Sequence, residues 1–73
     1  VKDNVYVYFR NYQKNLVMVI VNNSERTKTV YPSQYNEIIK GRTKGVNIIN
    51  DRLYYLLREI NISGKSTMIL EIH

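Results

Sequence analysis

The sequence has no cysteine and a single histidine, His73, which is its last residue. No disulfide framework and no thiolate metal site can be built from it, and imidazole clusters are excluded with them. The longest apolar run, Leu16 to Val21, is far short of the roughly 20 residues that a membrane-spanning helix needs. Val1 opens almost directly onto a strand-like run, with no charged n-region, apolar h-region or cleavage site. A piece of a longer chain, or else a processed protein, is therefore expected. At 73 residues the sequence holds one domain at most. It is too short for a (β/α)₈ barrel or a dinucleotide fold, and so for most enzymes that act on large substrates.

What remains is globular in composition, with 44% apolar and 23% charged residues. The domain must fold on its apolar core alone, which at this size leaves a narrow margin. Eleven Lys+Arg against six Asp+Glu give a net charge of +5, which raises the possibility of a nucleic-acid partner. The basic residues are scattered singly, however, and only Lys40-Gly41-Arg42-Thr43-Lys44 is locally dense. Dispersed positive charge of this kind serves solubility.

Period two dominates the first strand. Asn4 to Arg10 sends Val5, Val7 and Phe9 to one face and Tyr6 and Tyr8 to the other, with Asn4 and Arg10. A hairpin turn over Asn11–Asn15 leads into Leu16–Val21, which is apolar on both faces and predicts a central strand. Asn22–Glu25 is a turn cluster, and Arg26–Val30 fits a short exposed strand. Pro32 suits a first helical position, Tyr35, Ile38 and Ile39 follow at helical spacing, and Gly41 supplies a left-handed stop. Val46, Ile48 and Ile49 suggest a strand ending in a tight Asn50-Asp51 turn, and Leu53–Leu57 is ambiguous. Glu59–Ile62 alternates. Ser63-Gly64-Lys65 is a turn, and the last strand puts Met68, Leu70 and Ile72 on one face. Six to eight short strands and one helix (about residues 33–40) predict an all-β, antiparallel sandwich or small barrel.

Little in the sequence points to catalysis. Gly64-Lys65-Ser66-Thr67 imitates the end of a phosphate-binding loop, but the position that should carry the first glycine is Glu59, and a strand follows where a helix is needed. The carboxylates Asp3, Glu25, Glu37, Asp51, Glu59 and Glu71 fall in turns or on polar strand positions, whereas acid–base chemistry needs two converging in a cleft. The serines have no histidine placed as a base. No catalytic residue, metal site or cofactor is expected. The tyrosines are the richest binding feature: Tyr6 and Tyr8 share a face, and Tyr54 and Tyr55 are adjacent. Such rings stack on sugars or bases, or cover a sheet face at an interdomain contact. Because a two-layer sandwich buries one face of each sheet, the second apolar face of Leu16–Val21 with Tyr6 and Tyr8 should form an exposed patch on the order of a few hundred Å².

The ordered string also resembles a known family. It runs from Asp3-Asn4-Val5-Tyr6-Val7-Tyr8-Phe9-Arg10 through Val21-Asn22-Asn23. Tyr35 and Glu37 then precede Gly41, Lys44-Gly45-Val46-Asn47-Ile48-Ile49 follows, and Ser63-Gly64-Lys65-Ser66 leads to Ile69-Leu70-Glu71-Ile72. Over nearly the whole chain this is similar to the C-terminal domain of cyclomaltodextrinase- and neopullulanase-like enzymes of the α-amylase family (glycoside hydrolase family 13). Asn50-Asp51 and Ser63-Gly64-Lys65 depart from the usual turn residues and remain turn-compatible. The resemblance implies a Greek-key β-sandwich appended to a catalytic (β/α)₈ barrel that hydrolyses α-1,4-glucans, with the catalytic carboxylates in the barrel and none here. It implies a non-catalytic accessory domain that packs on that barrel, in a bacterial protein, periplasmic or otherwise. The alternative is an autonomous module that binds α-glucan weakly through Tyr6, Tyr8, Tyr54 and Tyr55, or nucleic acid through its basic charge.

Overall fold

In the computed structural model, which describes residues 4–73, the chain folds as strands β1 (Val5–Tyr12), β2 (Asn15–Asn22) and β3 (Lys28–Val30), a short helical segment, and strands β4 (Lys44–Asn47), β5 (Arg52–Tyr55), β6 (Ile60–Ile62) and β7 (Ser66–Ile72). Asp3, one of the carboxylates considered above, lies outside the described residues. All pairings are antiparallel. One sheet has five strands in the order β1-β2-β7-β4-β5, and the other has two, β3-β6. The last strand returns from the far end of the chain to lie between β2 and β4.

Each layer follows from local chemistry. The β1–β2 hairpin turns on Gln13 and Lys14, both with positive φ (49° and 70°). Two left-handed residues in a two-residue loop give the turn whose twist matches the flanking strands. The helical segment begins as a 3₁₀ turn over Pro32–Tyr35 and continues as α1 (Asn36–Ile39). Its left-handed stop starts at Lys40 (φ 53°), one residue before Gly41 (φ 79°), and the Lys40 N–H donates to the Asn36 carbonyl at 2.8 Å.

Two expected strands are shorter than the apolar pattern suggested. β3 spans Lys28–Val30, because Arg26 belongs to the preceding turn: its carbonyl accepts from Asn22 and Ser24, and its N–H donates to Ser24 Oγ. β4 stops at Asn47, so Ile48 and Ile49 are exposed turn residues. Asn47 makes that turn: its Oδ1 accepts the Ile49 N–H at 3.1 Å, and its carbonyl accepts the Asp51 N–H at 2.7 Å. An Asx side chain that captures the backbone two residues on competes with the ladder and ends the strand.

The core lies between the layers. Leu16, Met18 and Ile20 of β2 and Met68, Leu70 and Ile72 of β7 meet Ile60 and Ile62 of β6, Val30 of β3, Ile39 of α1, and Leu56. Phe9 reaches the helical segment through a tilted contact with Tyr35, ring centroids 5.4 Å apart.

One corner ties the layers together. Asn22 closes β2 with its side chain buried. Its Nδ2 donates to the carbonyls of Arg26 (2.8 Å), Ile62 (3.0 Å) and Ser63 (3.1 Å), while its Oδ1 accepts from the Ser24 N–H and hydroxyl. Beside it a Cβ at Gly64 would run into the Glu25 carbonyl, and Lys65 spends its ammonium on the Asn23 carbonyl at 2.9 Å. The Gly64-Lys65 pair is thus a structural turn. Asn22→Asp keeps the shape but sets a carboxylate against three carbonyl oxygens, so urea unfolding should show a loss of roughly 3 kcal/mol or more. Gly64→Ala should cost about 1–3 kcal/mol in the same measurement.

Candidate functional site

Strand register determines what the outer face of the large sheet presents. One row runs Tyr8–Val19–Ile69, with the exposed Ile48 hydrogen-bonded to the Ile69 carbonyl at its end. The next runs Arg10–Val17–Glu71–Val46–Leu53. Tyr6–Val21–Thr67 flanks the first row, and Tyr55 stands opposite Lys44 at the far edge. No described element packs over these rows. Val19 is buried to 8% exposure yet belongs to no core cluster; its neighbours on the same face shade it. Tyr6, Tyr8, Leu53 and Tyr55 remain exposed, and Val17, Val21, Val46 and Ile69 are half-buried.

The candidate tyrosines therefore divide. Tyr6 and Tyr8 share the outer face, with the Arg10 guanidinium 5.7 Å from the Tyr8 ring. Tyr54 and Tyr55 form no joint platform. Successive strand residues point to opposite faces, so Tyr54 turns inward and packs half-buried against the core, while Tyr55 is 53% exposed. Val46, Leu53 and Ile69 complete the face and were not singled out from sequence; Ile69 was implicit in the alternation of the last strand, whereas Leu53 required knowing where β5 sits. Tyr31, Gln34 and Tyr35 were also missed. With Lys28 they bound a groove of about 600 Å³ alongside Val5–Tyr8, and only the three-dimensional approach of β3 to the edge of β1 creates it.

Acidic and basic chemistry is sparse on this face. Glu71 is the carboxylate within the rows, and it holds the His73 imidazole at 3.0 Å. Glu25, Glu37, Asp51 and Glu59 are exposed elsewhere. Among the described residues no group of three or more His, Asp or Glu could hold a metal ion.

The profile of the family described as Cyclo-malto-dextrinase C-terminal domain matches residues 1–71. The chain belongs to that family. Its members are C-terminal domains of cyclomaltodextrinase-like glycoside hydrolases, each part of a larger chain that carries a catalytic domain. No curated protein sequence matches this cyclomaltodextrinase-type domain.

The split between the adjacent tyrosines can be measured. Tyr54→Ala should destabilise the domain by about 2–4 kcal/mol because it opens a gap against the core, whereas Tyr55→Ala should stay within about 0.5 kcal/mol. Chemical denaturation of the two variants reads the difference directly.

Proposed function

We propose that this chain is the non-catalytic C-terminal domain of an α-amylase-family hydrolase acting on α-1,4-glucans. It docks on the catalytic (β/α)₈ barrel through the outer face of its large sheet and stabilises that barrel. The observation that carries this reading is the asymmetry of the sheet. The inner face is sealed by β3, β6 and α1, while the outer face keeps Tyr6, Tyr8, Leu53 and Tyr55 exposed around a ladder of Val17, Val19, Val21, Val46 and Ile69. Exposed contiguous apolar surface of this kind marks interaction sites. Covering on the order of 300 Å² at about 25 cal/mol per Å² contributes several kcal/mol. Within one chain little of that is lost to association, because the barrel is already held at high effective concentration.

The non-catalytic part rests on the carboxylates. Glycoside hydrolysis needs two carboxyl groups flanking one bond, roughly 5–9.5 Å apart. Here Glu71 pairs with His73, and Glu25, Glu37, Asp51 and Glu59 stand exposed in other segments. A second reading, weak contact with α-glucan, is favoured by the tyrosine-lined groove beside Tyr6 and Tyr8. Tyr31 and Tyr35 replace Tyr54 and Tyr55 as the partners of the first pair there. Maltoheptaose titration of the labelled domain should give at most millimolar-range amide shifts, confined to that groove; saturation well below a millimolar would make sugar binding the main role.

The docking reading is tested in a full-length enzyme carrying this domain. Tyr8→Thr with Ile69→Thr keeps strand-compatible residues while removing apolar area from the outer face. The melting temperature of the catalytic part should fall by several degrees, while the isolated domain changes little. An unchanged full-length melting profile would remove the outer face from the contact. The isolated domain should release no reducing sugar from starch, cyclodextrin or pullulan.

A further inference from the structure

β1 forms one edge of the five-stranded sheet, and hydrogen-bond parity shows what that edge offers. The hairpin closes at the Tyr12–Asn15 pair, and at the other end the Asn23 N–H donates to the Asn4 carbonyl at 2.9 Å. In an antiparallel ladder the bonded pairs alternate. Asn4, Tyr6, Tyr8, Arg10 and Tyr12 therefore aim their backbone groups at β2, and Val5, Val7, Phe9 and Asn11 aim theirs outward. Among the described residues, none of those outward N–H and C=O groups has a partner. The groove beside Val5–Tyr8 leaves the edge open.

This edge lacks the usual protection. It is eight residues long, runs without a bulge in register with β2, contains no proline, and carries Arg10 as its charged residue. Natural proteins blunt such edges with charge, proline, bulges or brevity. The opposite edge, β5, is four residues long and begins at Arg52. The inward side chains of β1 are also incompletely covered. Val5, Val7 and Phe9 remain half-buried, while Met18, Ile20 and Leu70 on the neighbouring strands are at 0% exposure.

The pattern Val5-Tyr6-Val7-Tyr8-Phe9 is nearly palindromic about Val7. We propose that the free edge of β1 pairs antiparallel with β1 of a second copy of this chain, about a two-fold axis through Val7. In that register Val7 meets Val7 of the second copy, and Val5 meets Phe9. These are all outward-bonding residues, so both rows of free backbone groups are satisfied together. Tyr6 meets Tyr8 of the second copy at a non-hydrogen-bonded pair, where side chains approach most closely. Arg10 meets Asn4, so no like charges oppose. Such an isologous contact closes on itself as a dimer. The axis lies beside β1 in the plane of the sheet, so of the outer-face rows the contact takes in only the β1 residues Tyr6, Tyr8 and Arg10.

The test uses the 73-residue chain itself. Sedimentation across micromolar to millimolar concentration should show the average mass rising from one chain toward two. Val7→Pro removes only an outward N–H and leaves the β1–β2 ladder intact, so it should remain monomeric with an unchanged circular dichroism spectrum. Leu53→Thr with Ile69→Thr, outer-face changes on strands away from β1, should still dimerise. Amide exchange supplies a readout that needs no variant: raising the protein concentration should slow the amides of Val5, Val7 and Phe9, while those of Tyr6 and Tyr8, already bonded to β2, stay as they were. The proposal is overturned if the wild-type chain stays monomeric at millimolar concentration. It is equally overturned if concentration leaves the Val5, Val7 and Phe9 amides unchanged, or if the outer-face variant alone abolishes the dimer.

Discussion

Asn22 stands where the two layers of the sandwich must be joined, with its carboxamide 1% exposed and every polar atom engaged. Its amino group holds the carbonyls of Ile62 and Ser63 at the end of β6, and also that of Arg26 in the turn before β3. A side chain at the end of the large sheet therefore sets the position of both strands of the small one. The neighbouring Gly64 lets the β6–β7 turn approach the Glu25 backbone, and the Lys65 N–H seals the approach on the Ser24 carbonyl at 2.8 Å. Small domains keep only about 0.05–0.15 kcal/mol of stability per residue. A buried amide with all its bonds made is thus worth a sizeable share of the total.

Fixing the small sheet there decides which face of the large sheet is sealed. β6 contributes Ile60 and Ile62, β3 contributes Val30, α1 contributes Ile39, and the core draws its residues from one side of β2 and β7. The opposite side of the same strands is equally apolar in β2, where Val17, Val19 and Val21 alternate with Leu16, Met18 and Ile20. Nothing in the second layer reaches it. The exposed face is therefore a direct consequence of a sandwich whose second layer exists on one side only. The chain belongs to a family of C-terminal domains of cyclomaltodextrinase-like hydrolases, and the catalytic domain of such a chain is the cover we propose for this face.

Much of this was legible in the sequence. Period-two alternation gave the facing of Val5, Val7 and Phe9 against Tyr6 and Tyr8, and of Met68, Leu70 and Ile72, because one-sided burial stamps its period on the residues. The family, too, could be recognised from the order of short segments. Strand ends were less visible. Ile48 and Ile49 look like strand residues, but the side chain of Asn47 captures the backbone and ends β4 before them. Tyr54 and Tyr55 looked like one feature and are two, because only knowledge that β5 is a strand separates their faces. The role of Asn22 was hidden for a different reason: in sequence it belongs to a polar turn cluster, and its carbonyl partners at Ile62 and Ser63 come from a distant part of the chain.

The central claim is that the outer face is covered by the catalytic domain of the parent enzyme. Hydroxyl-radical footprinting of aromatic and aliphatic side chains, run on the isolated domain and on the full-length enzyme, tests it most directly. The account predicts strong protection of Tyr8, Leu53, Tyr55 and Ile69 in the full-length enzyme, with Leu57, 82% exposed and outside the rows, oxidised equally in both. Equal oxidation of the outer-face residues in the two samples would contradict it.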